Sequence, residues 1–322
     1  MIKVGVVRGG PSSEYEVSLK TGGEVLRHLP SKYKGYDVLI AKDGRWHLNG
    51  FSKEPARIAD KVDVFFNALH GEYGEDGRVQ QVFESFNAPY TGSEIIPSVL
   101  AMKKHRANEL FNRAGMKTPR SLVFKRDDFV FESTEDIASE VFNSILPIWI
   151  VKPSSLGSSI GVSICKSFTD LMEGIEKAFS CDSTILVEEF MKGREATCGV
   201  LENFRGQNVY AFPPIEIIPP EERFFDYEAK YDGSTREICP AGFEHSVKRE
   251  IENLAIRAHQ ILGCRHYSRT DFIISKRGIY VLEINTLPGL TSQSLLPKAA
   301  REAGLQFPDL LDHVLKLALR TR

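Results

Sequence analysis

Two strand-like runs near the C-terminal end constrain the fold of this chain most strongly. Residues 269–275 and 278–283 are rich in β-branched and aromatic side chains, and only Lys276 and Arg277 lie between them. This pattern predicts a hairpin with these two residues at its turn. We therefore expect antiparallel strands in this part of the chain.

The polar residues of this hairpin indicate a possible metal site. Asp271 and Glu283 would face one cleft if the strands pair, and Glu283 and Asn285 share a face because they are two apart on one strand. Two carboxylates and an amide oxygen are hard ligands of the kind that hold Mg²⁺ on nucleotide phosphates. The alternative is an exposed polar edge, although the surroundings are apolar, where a bare carboxylate is costly to bury. The spacing alone leaves both interpretations open.

The beginning of the chain predicts a strand, a turn and a helix. An apolar run at residues 2–7 ends at the GGP turn of residues 9–11, and a helical pattern follows over residues 16–29. Ser13 and Glu16 have the spacing of a capping box, which marks a helix N-terminus. This order is typical of doubly wound α/β domains. Further strand-like runs at residues 36–41 and 62–69 extend the pattern.

With 322 residues, the chain is too long for one core of ordinary size, which suggests two or three domains, and the order of elements along the chain divides it into three regions. The predicted limits are residues 1–94, 95–187 and 188–322, with an α/β domain first. The other predicted elements are helices at residues 97–114, 171–179, 248–262 and 307–319 and strands at residues 121–125, 148–152, 160–165, 184–189, 195–201 and 209–216.

Composition excludes several classes of protein. A formal net charge of −2 argues against a nucleic-acid or membrane-surface partner held by bulk electrostatics. The five cysteines form no C-x-x-C pair, which predicts reduced thiols. The first residues show no signal peptide, and no apolar run approaches the ~18 residues of a membrane span. We therefore expect a cytoplasmic protein.

An apolar run delivers Lys152 into a small-residue turn, SSLGSSIG at residues 154–161. Glycine and serine let backbone N–H groups approach phosphate oxygens closely, and the lysine adds a positive charge. The spacing is not that of a Walker loop. A tight hairpin with serines in solvent explains this segment alone equally well.

Two loop-like segments complete the candidate site. The string HGEYGEDG at residues 70–77 follows an apolar strand, where α/β folds place ligands. His70 could contact a substrate there or simply cap a turn. The aromatic and charged segment at residues 224–231 could form a lid that excludes water, or a loop packed by its own side chains.

Taken together and in this order, these segments resemble the D-alanine–D-alanine ligase family, a branch of the ATP-grasp superfamily. The likeness covers essentially the whole chain, and its last two strings are highly specific. The matching strings are GGPSSEYEVS (9–18), HG and GEDG (70–77), PYTG (89–92), VKP and GSS (151–159), DYEAKY (226–231) and EINTLPGLTS (283–292).

The resemblance implies an ATP-grasp fold of α/β and α+β class, with an N-terminal Rossmann-like (pre-ATP-grasp) α/β domain. The first domain would hold the first D-alanine, the second the nucleotide phosphates, and the third the metal, the second D-alanine and a lid loop. The implied reaction joins two D-alanines through a D-alanyl phosphate, giving D-alanyl-D-alanine, ADP and phosphate for peptidoglycan precursors. The resemblance also implies ATP, two Mg²⁺ ions with Mn²⁺ as a substitute, and a homodimer.

The resemblance further implies a role for particular side chains and backbone groups. The implied nucleotide contacts are Lys104 and Lys152 for the phosphates with Ser159 beside them, Glu188, Glu189 and Met191 for adenine, and Glu195 for the ribose. The implied metal ligands are Asp271, Glu283 and Asn285. The remaining implied contacts are Glu14 and His70 for the first D-alanine, Ser294 and the Leu295 N–H for the second, Arg269 and the Gly289 N–H for the oxyanion, Lys230 for the phosphoryl group, and the trio of Glu14, Ser158 and Tyr231 that latches the lid.

Some positions depart from the family pattern, and we expect changes in rate or loop dynamics at most. The departures are Arg8, Lys103, Leu156, Phe225 and Gln293. Tyr231 is the position associated with dipeptide rather than depsipeptide products, which favours D-alanine over D-serine or D-lactate as second substrate. Two other hypotheses remain: an ATP-grasp ligase for a different amino-acid pair, and a degenerate ATP-binding protein without catalysis.

Overall fold

A computed structural model describes residues 1–127, 133–219 and 235–320 of the chain. Three sheets of five, four and six strands organise these residues. No helix within the described ranges is long and apolar enough to span a membrane. All five cysteines are free thiols.

The first sheet is mainly parallel at its centre, as the strand–turn–helix opening predicts. The strand order is β4-β3-β2-β1-β5, and β1 is parallel to both β2 and β5. Its elements are β1 (Ile2–Gly9), α1 (Tyr15–His28), β2 (Tyr33–Ile40), β3 (Trp46–Leu48), β4 (Phe51–Ser52), α2 (Pro55–Ala59), β5 (Val64–Asn67) and α3 (Arg78–Ser85).

The second sheet is antiparallel and has the strand order β6-β9-β7-β8. Helices α6 and α7 each begin with a capping box, at Ser133 and Ser167, which fixes their N-termini. The elements of this part of the chain are α4 (Ile95–Met102), α5 (Lys104–Arg113), β6 (Ser121–Lys125), α6 (Thr134–Ser144), β7 (Trp149–Pro153), β8 (Ser163–Cys165), α7 (Phe168–Cys181) and β9 (Thr184–Glu189).

The third sheet, also antiparallel, has the order β13-β12-β10-β14-β15, with β11 paired to β10. The predicted hairpin is confirmed as β14 and β15, which Lys276 and Arg277 join. The elements are β10 (Arg194–Phe204), β11 (Gln207–Ala211), β12 (Ile215–Ile218), β13 (Arg236–Ile238), α8 (His245–Leu262), β14 (Tyr267–Ser275), β15 (Gly278–Asn285), α9 (Leu295–Glu302) and α10 (Phe307–Arg320).

The last helix returns to the first sheet. Leu310 and Val314 of α10 share a buried cluster with Val4 and Phe66 of the first sheet. The two ends of the chain therefore contribute to one apolar core. The domain limits at residues 94 and 187 stay a prediction.

Three predictions of secondary structure were wrong. Residues 209–216, predicted as one strand, contain the end of β11 and the start of β12, because Pro213 and Pro214 lack the N–H that a continuous strand would need. Residues 97–114 form two helices rather than one, because the backbone turns at Lys103 and the Lys104 N–H donates to the Ser154 carbonyl instead of continuing a helix. The capping box of Ser13 and Glu16 is absent: α1 begins at Tyr15, and Glu14 at its N-cap makes no side-chain cap. The Glu14 carboxylate accepts a hydrogen bond from Ser158 instead.

Two residues just before β14 fasten the third sheet to the end of the first region. Arg265 donates to the carbonyl of Gly92 at 3.0 Å and to the carboxylate of Glu94 at 2.9 Å. Burial lowers the pKa of His266 to about 3, so its neutral ring accepts a hydrogen bond from the Gly92 N–H. These contacts fix the first sheet relative to Arg269, which lies in β14 three residues after His266.

Adjacent glycines in α1 give a test of this packing. An added Cβ at Gly22 would lie 2.6 Å from Cβ of Arg8, whereas at Gly23 the nearest atom is 3.7 Å away and belongs to a flexible arginine. We expect Gly22→Ala to destabilise the protein by about 1–3 kcal/mol through overpacking. Gly23→Ala should be neutral or stabilising, because alanine favours helix by up to about 1 kcal/mol over glycine.

Urea unfolding followed by circular dichroism measures both variants. Equal midpoints for Gly22→Ala and Gly23→Ala would show that α1 does not pack on β1 this closely.

Candidate active site

Two adjoining chambers lie between the sheets. We call the first, of about 500 Å³, the polar chamber, because Glu14, His70, Arg269 and Ser294 are among its lining residues. The second, of about 560 Å³, is the apolar chamber, which lies between the second and third sheets. Residues such as Ile148, Ile150, Phe190, Met191 and Leu282 line it. The two chambers share the lining residues Lys104, Gly157, Ser158, Ile217, Asp271 and Glu283.

The hairpin of β14 and β15 supplies the acids where the chambers meet. Asp271 lies directly opposite Glu283, with an irregularity in register just after Asp271, and Arg269 lies opposite Asn285. The prediction that Asp271 and Glu283 face one cleft is confirmed, because both line both chambers.

Each of these acids faces a cation. The Arg269 guanidinium donates to both oxygens of Asp271, each at 3.0 Å, and Lys104 Nζ lies 3.3 Å from Glu283 Oε2. Burial alone would lower the pKa of Arg269, but the charge of Asp271 and its hydrogen bonds outweigh burial and raise it. Arg269 therefore stays protonated inside the cleft.

The oxygen atoms of this hairpin suit a hard divalent cation. Within the described ranges, no three His, Cys, Asp or Glu side chains lie together as metal ligands, so a third ligand here has to come from another residue type. The set here is two carboxylates and the Asn285 amide oxygen, which accepts one hydrogen bond from the Leu287 N–H and keeps a second lone pair. Oxygen-only ligands of this kind fit Mg²⁺ better than zinc or copper.

Thr197 on the neighbouring strand orients one of these acids. Its hydroxyl donates to Asp271 Oδ1 at 2.6 Å. A threonine in the middle of β10 carried no signal in the sequence, because the pairing of Thr197 with Asp271 becomes evident only when β10 and β14 are placed side by side.

Lys152 reaches the apolar chamber from β7. Its Nζ lies 2.7 Å from Oε2 of Glu188, which is only 3% exposed. Asn108 donates to the other oxygen of Glu188 at 3.4 Å. A buried carboxylate requires such partners, and the lysine is thereby held at the chamber wall.

The backbone of the turn at residues 154–161 places the Ser158 hydroxyl and the Leu156 carbonyl in the cleft. Ser158 and Ser159 both have left-handed φ angles, +50° and +58°. Ser158 donates to Glu14 Oε1 at 2.5 Å, and the Leu156 carbonyl accepts from Lys104 Nζ at 2.7 Å. These hydrogen bonds thus connect Glu14, Lys104 and the serine turn, which are distant in the chain, where the two chambers meet.

His70 is buried beside Glu14. Its Nε2 shares a hydrogen bond with the Thr21 hydroxyl at 2.9 Å, and its Nδ1 lies 3.7 Å from Glu75 Oε1. That oxygen accepts the Gly71 N–H at 2.8 Å. Gly71 has φ +68°, and an added Cβ would lie 2.7 Å from the Glu14 carboxylate, so the position requires glycine.

Glu75 is a site residue that the sequence did not single out. It lines the polar chamber with His70 and Arg269, and its charge reaches the Arg269 guanidinium. Its place among the acids of the HGEYGEDG string was the available signal, but that string does not show which acid points inward.

The far end of the polar chamber is the start of α9. Ser294 accepts a hydrogen bond from the Thr291 N–H at 3.1 Å, and Leu295 begins the helix, where N–H groups have no partner within the helix. Gly289 lies close by: an added Cβ would come 2.9 Å from Ser294 Oγ. All three residues line the polar chamber.

The remaining predicted positions divide into two groups. Glu188, Glu189, Met191, Glu195 and Ser159 all line the apolar chamber. Lys230, Tyr231 and the whole segment at residues 224–231 lie outside the described residues. Of the predicted trio, the pair of Glu14 and Ser158 is therefore the part that the structure describes.

The departures from the family pattern also have distinct positions. Arg8 makes a two-pronged ion pair with Asp37, each bond 2.7 Å, rather than lining a chamber. Leu156 lines the apolar chamber and Gln293 the polar one. Lys103 is exposed at the break between α4 and α5. Phe225 lies outside the described residues.

Comparison with known proteins gives matches along the whole chain. The family model for the D-ala D-ala ligase C-terminus matches residues 110–316, and the N-terminus model matches residues 3–60 and 49–93. A D-alanine–D-alanine ligase of Geobacter sulfurreducens is 42% identical over 97% of this chain and 93% of its own length. One of Syntrophobacter fumaroxidans is 39% identical over 99% of this chain and 98% of its own length.

Solved structures agree with these matches. The D-alanine–D-alanine ligase of Bacillus anthracis complexed with ATP has a TM-score of 0.81 at 30% identity, covering 99% of this chain and 98% of that one. The VanG D-Ala:D-Ser ligase of Enterococcus faecalis has a TM-score of 0.85 at 30% identity, covering 98% and 99%.

These likenesses, and the chamber enclosed by two antiparallel sheets, define an ATP-grasp protein. Within that class, the chain belongs to the D-alanine–D-alanine ligase family.

Two neighbouring threonines provide a test of the oxygen-ligand hairpin. Thr197→Val removes the hydroxyl that holds Asp271, so we expect Mn²⁺, used as a spectroscopic probe, to bind about tenfold more weakly. Thr270 is the matched control, because its buried hydroxyl has no hydrogen-bond partner among the described residues. Thr270→Val should leave Mn²⁺ binding unchanged.

Electron paramagnetic resonance of free Mn²⁺ measures both affinities without any turnover. Wild-type affinity in Thr197→Val would mean that Asp271 is not a metal ligand, or needs no orienting hydroxyl.

Proposed function

We propose that this chain is an ATP- and Mg²⁺-dependent ligase that joins two D-alanines into D-alanyl-D-alanine, with release of ADP and phosphate. The observation that carries the proposal is the meeting of an apolar and a polar chamber at Lys104, Asp271 and Glu283. A nucleotide in one chamber and amino acids in the other would bring the γ-phosphate and a carboxylate together at that junction. Family membership supports D-alanine as the amino acid.

The apolar chamber suits the nucleotide. Its apolar walls from the second and third sheets would hold the base, and Lys104 and Lys152, which line it, would meet the phosphates. The proposed contacts are Glu188, Glu189 and Met191 for adenine, Glu195 for the ribose, and Lys104, Lys152 and Ser159 for the phosphates.

Asp271, Glu283 and Asn285 would hold two Mg²⁺ ions, for which Mn²⁺ could substitute. Bound there, the cations would offset negative charge on the phosphates. Lys104 now faces Glu283 and Lys152 faces Glu188, so both lysines are already at the chamber wall. Their positions support a role as phosphate contacts.

In the first step, the carboxylate of the first D-alanine attacks the γ-phosphorus of ATP. A carboxylate oxygen bonds to phosphorus, the bond to the β-phosphate oxygen breaks, and D-alanyl phosphate and ADP result. Both reactants are anionic, so placed cations and exact alignment provide most of the catalysis. Lys104 is positioned to supply such charge at the junction, and Lys230 would do so from the lid segment.

In the second step, the second D-alanine attacks the acyl carbon through its amine after losing a proton from its ammonium group. The tetrahedral intermediate carries an oxyanion, for which Arg269 and the Gly289 N–H are the proposed donors. The C–N bond forms in this attack; the attacking nitrogen then gives up a second proton to solvent, the acyl C–O bond breaks and phosphate leaves. The pKa of Arg269 is raised, so its positive charge is present throughout the physiological pH range.

Charge in the polar chamber supports the orientation of both amino acids. Glu14 would hold the ammonium group of the first D-alanine, with His70 beside it and Glu75 adding negative charge nearby. At the opposite end, Ser294 and the N–H of Leu295 would hold the carboxylate of the second, as helix N-termini favour anions.

The trio of Glu14, Ser158 and Tyr231 would latch the lid over the filled chambers. The hydrogen bond between Ser158 and Glu14 supports this role. We further propose that the enzyme works in the cytoplasm, where ATP is available and where five free thiols would stay reduced. The homodimer stays a prediction.

The direct test is release of phosphate from ATP and Mg²⁺ with D-alanine, alongside L-alanine, D-serine and D-lactate, with mass spectrometry of the products. We expect phosphate release only when D-alanyl-D-alanine forms, with one phosphate released per dipeptide. Release with a different partner alone would keep the mechanism and overturn the substrate. ATP binding without release for any partner would favour a non-catalytic binding protein.

A further inference from the structure

The turn of the β14–β15 hairpin contacts the linker that joins the second and third sheets. Arg277 Nη2 lies 2.7 Å from Glu189 Oε2 and 3.0 Å from Met191 Sδ. Glu189 ends β9, and Met191 follows in the linker before β10. One exposed side chain of the third sheet therefore contacts both the end of the second sheet and the linker that follows it.

Arg277 contacts the chamber wall from behind. Glu189 and Met191 both line the apolar chamber, whereas Arg277 is not among the described residues that line it. Whatever holds these two side chains sets the shape of that end of the chamber. Arg277 contacts both of them.

Both partners of the ion pair are fixed by further bonds. Glu189 Oε1 accepts the Arg120 N–H at 3.0 Å, and the Glu189 N–H donates back to the Arg120 carbonyl. The Arg277 carbonyl accepts Lys117 Nζ at 2.7 Å, and its N–H donates to Ser275 Oγ at 3.0 Å. The pair is thus a defined contact rather than one of many equivalent arrangements of two long side chains.

The energetics point to a local role. The side chain of Arg277 is 58% exposed, and ion pairs this exposed add little to overall stability. The hydrogen bond to Glu189 raises the pKa of Arg277, so the guanidinium keeps its positive charge over the whole physiological pH range. Its contribution is therefore expected in the position of Glu189 and Met191 rather than in the stability of the fold.

We propose that Arg277 is a positioning residue for the nucleotide, which holds Glu189 and Met191 in place at the end of the apolar chamber. The inference rests on the proposed function in one respect, namely that the apolar chamber takes ATP. The polar chamber meets the apolar one at Lys104, Asp271 and Glu283, and its lining includes neither Glu189 nor Met191. Loss of Arg277 should consequently weaken nucleotide binding and leave the binding of amino acids unchanged.

The test compares Arg277→Gln with Lys276→Gln, a neighbouring exposed position on the same turn. Binding of ADP is measured by isothermal titration calorimetry, and KM is measured separately for ATP and for D-alanine. We expect Arg277→Gln to raise the Kd of ADP and the KM of ATP by about fivefold, the scale of a lost exposed ion pair. The KM of D-alanine, kcat and the Tm should not change, and Lys276→Gln should match the wild type.

Two further variants show whether the effect passes through Glu189. Arg277→Lys keeps the charge and should recover part of the ADP affinity. The double variant Arg277→Gln with Glu189→Gln should bind ADP no more weakly than the weaker of the two single variants, because each single variant already breaks the ion pair between these two residues.

Unchanged ADP binding in Arg277→Gln would overturn the inference. So would a fall in Tm that accounts for the loss, or an equal rise in the KM of D-alanine. ADP binding needs no turnover, so a shift in Kd would uphold the inference even if no dipeptide formed. If wild-type protein bound no ADP, the nucleotide chamber and the inference would both fail.

Discussion

Charged groups can be buried only with partners, and the cleft of this protein meets that requirement with opposite charges. Arg269 faces Asp271, Lys104 faces Glu283 and Lys152 faces Glu188. In each pair, a cation that suits a phosphate group or an oxyanion lies against an acid. These side chains thereby hold one another in position. A phosphorylated substrate and its cations would need the same side chains.

The pairs also explain why three sheets are needed. Glu283 and Asp271 come from the third sheet and Lys152 from the second, while Lys104 begins the helix that leads into the second. Glu14 and His70 lie in loops of the first sheet, and the contacts of Arg265 and His266 with Gly92 set their distance from Arg269. The return of α10 to the first sheet fastens the chain ends together.

Local patterns in the sequence predicted much of this architecture. The hairpin of β14 and β15 follows from alternation around a two-residue turn, and the opening strand and helix follow from the glycine turn between them. The break at Lys103 does not follow from a local pattern, because the Lys104 N–H donates to the carbonyl of Ser154, fifty residues away in the chain. Helix propensity carries no information about such a partner.

The site shows the same division. Asp271, Glu283 and Asn285 could be found from strand periodicity, and the serine–glycine turn from its composition. Thr197, Asn108 and Glu75 could not, because each acts through a neighbour that only the folded chain supplies. Arg8 is the opposite case: it departs from the family pattern beside a glycine turn, yet its ion pair with Asp37 serves packing alone.

The central claim is that a carboxylate in the polar chamber attacks the γ-phosphate of a nucleotide in the apolar chamber. Turnover with D-alanine labelled with ¹⁸O at both carboxylate oxygens tests that claim directly, with mass spectrometry of phosphate and nucleotide. The account predicts one ¹⁸O atom in each phosphate released and none in ADP, because the acyl phosphate breaks between carbon and oxygen. Unlabelled phosphate, or label in AMP, would contradict the proposed step.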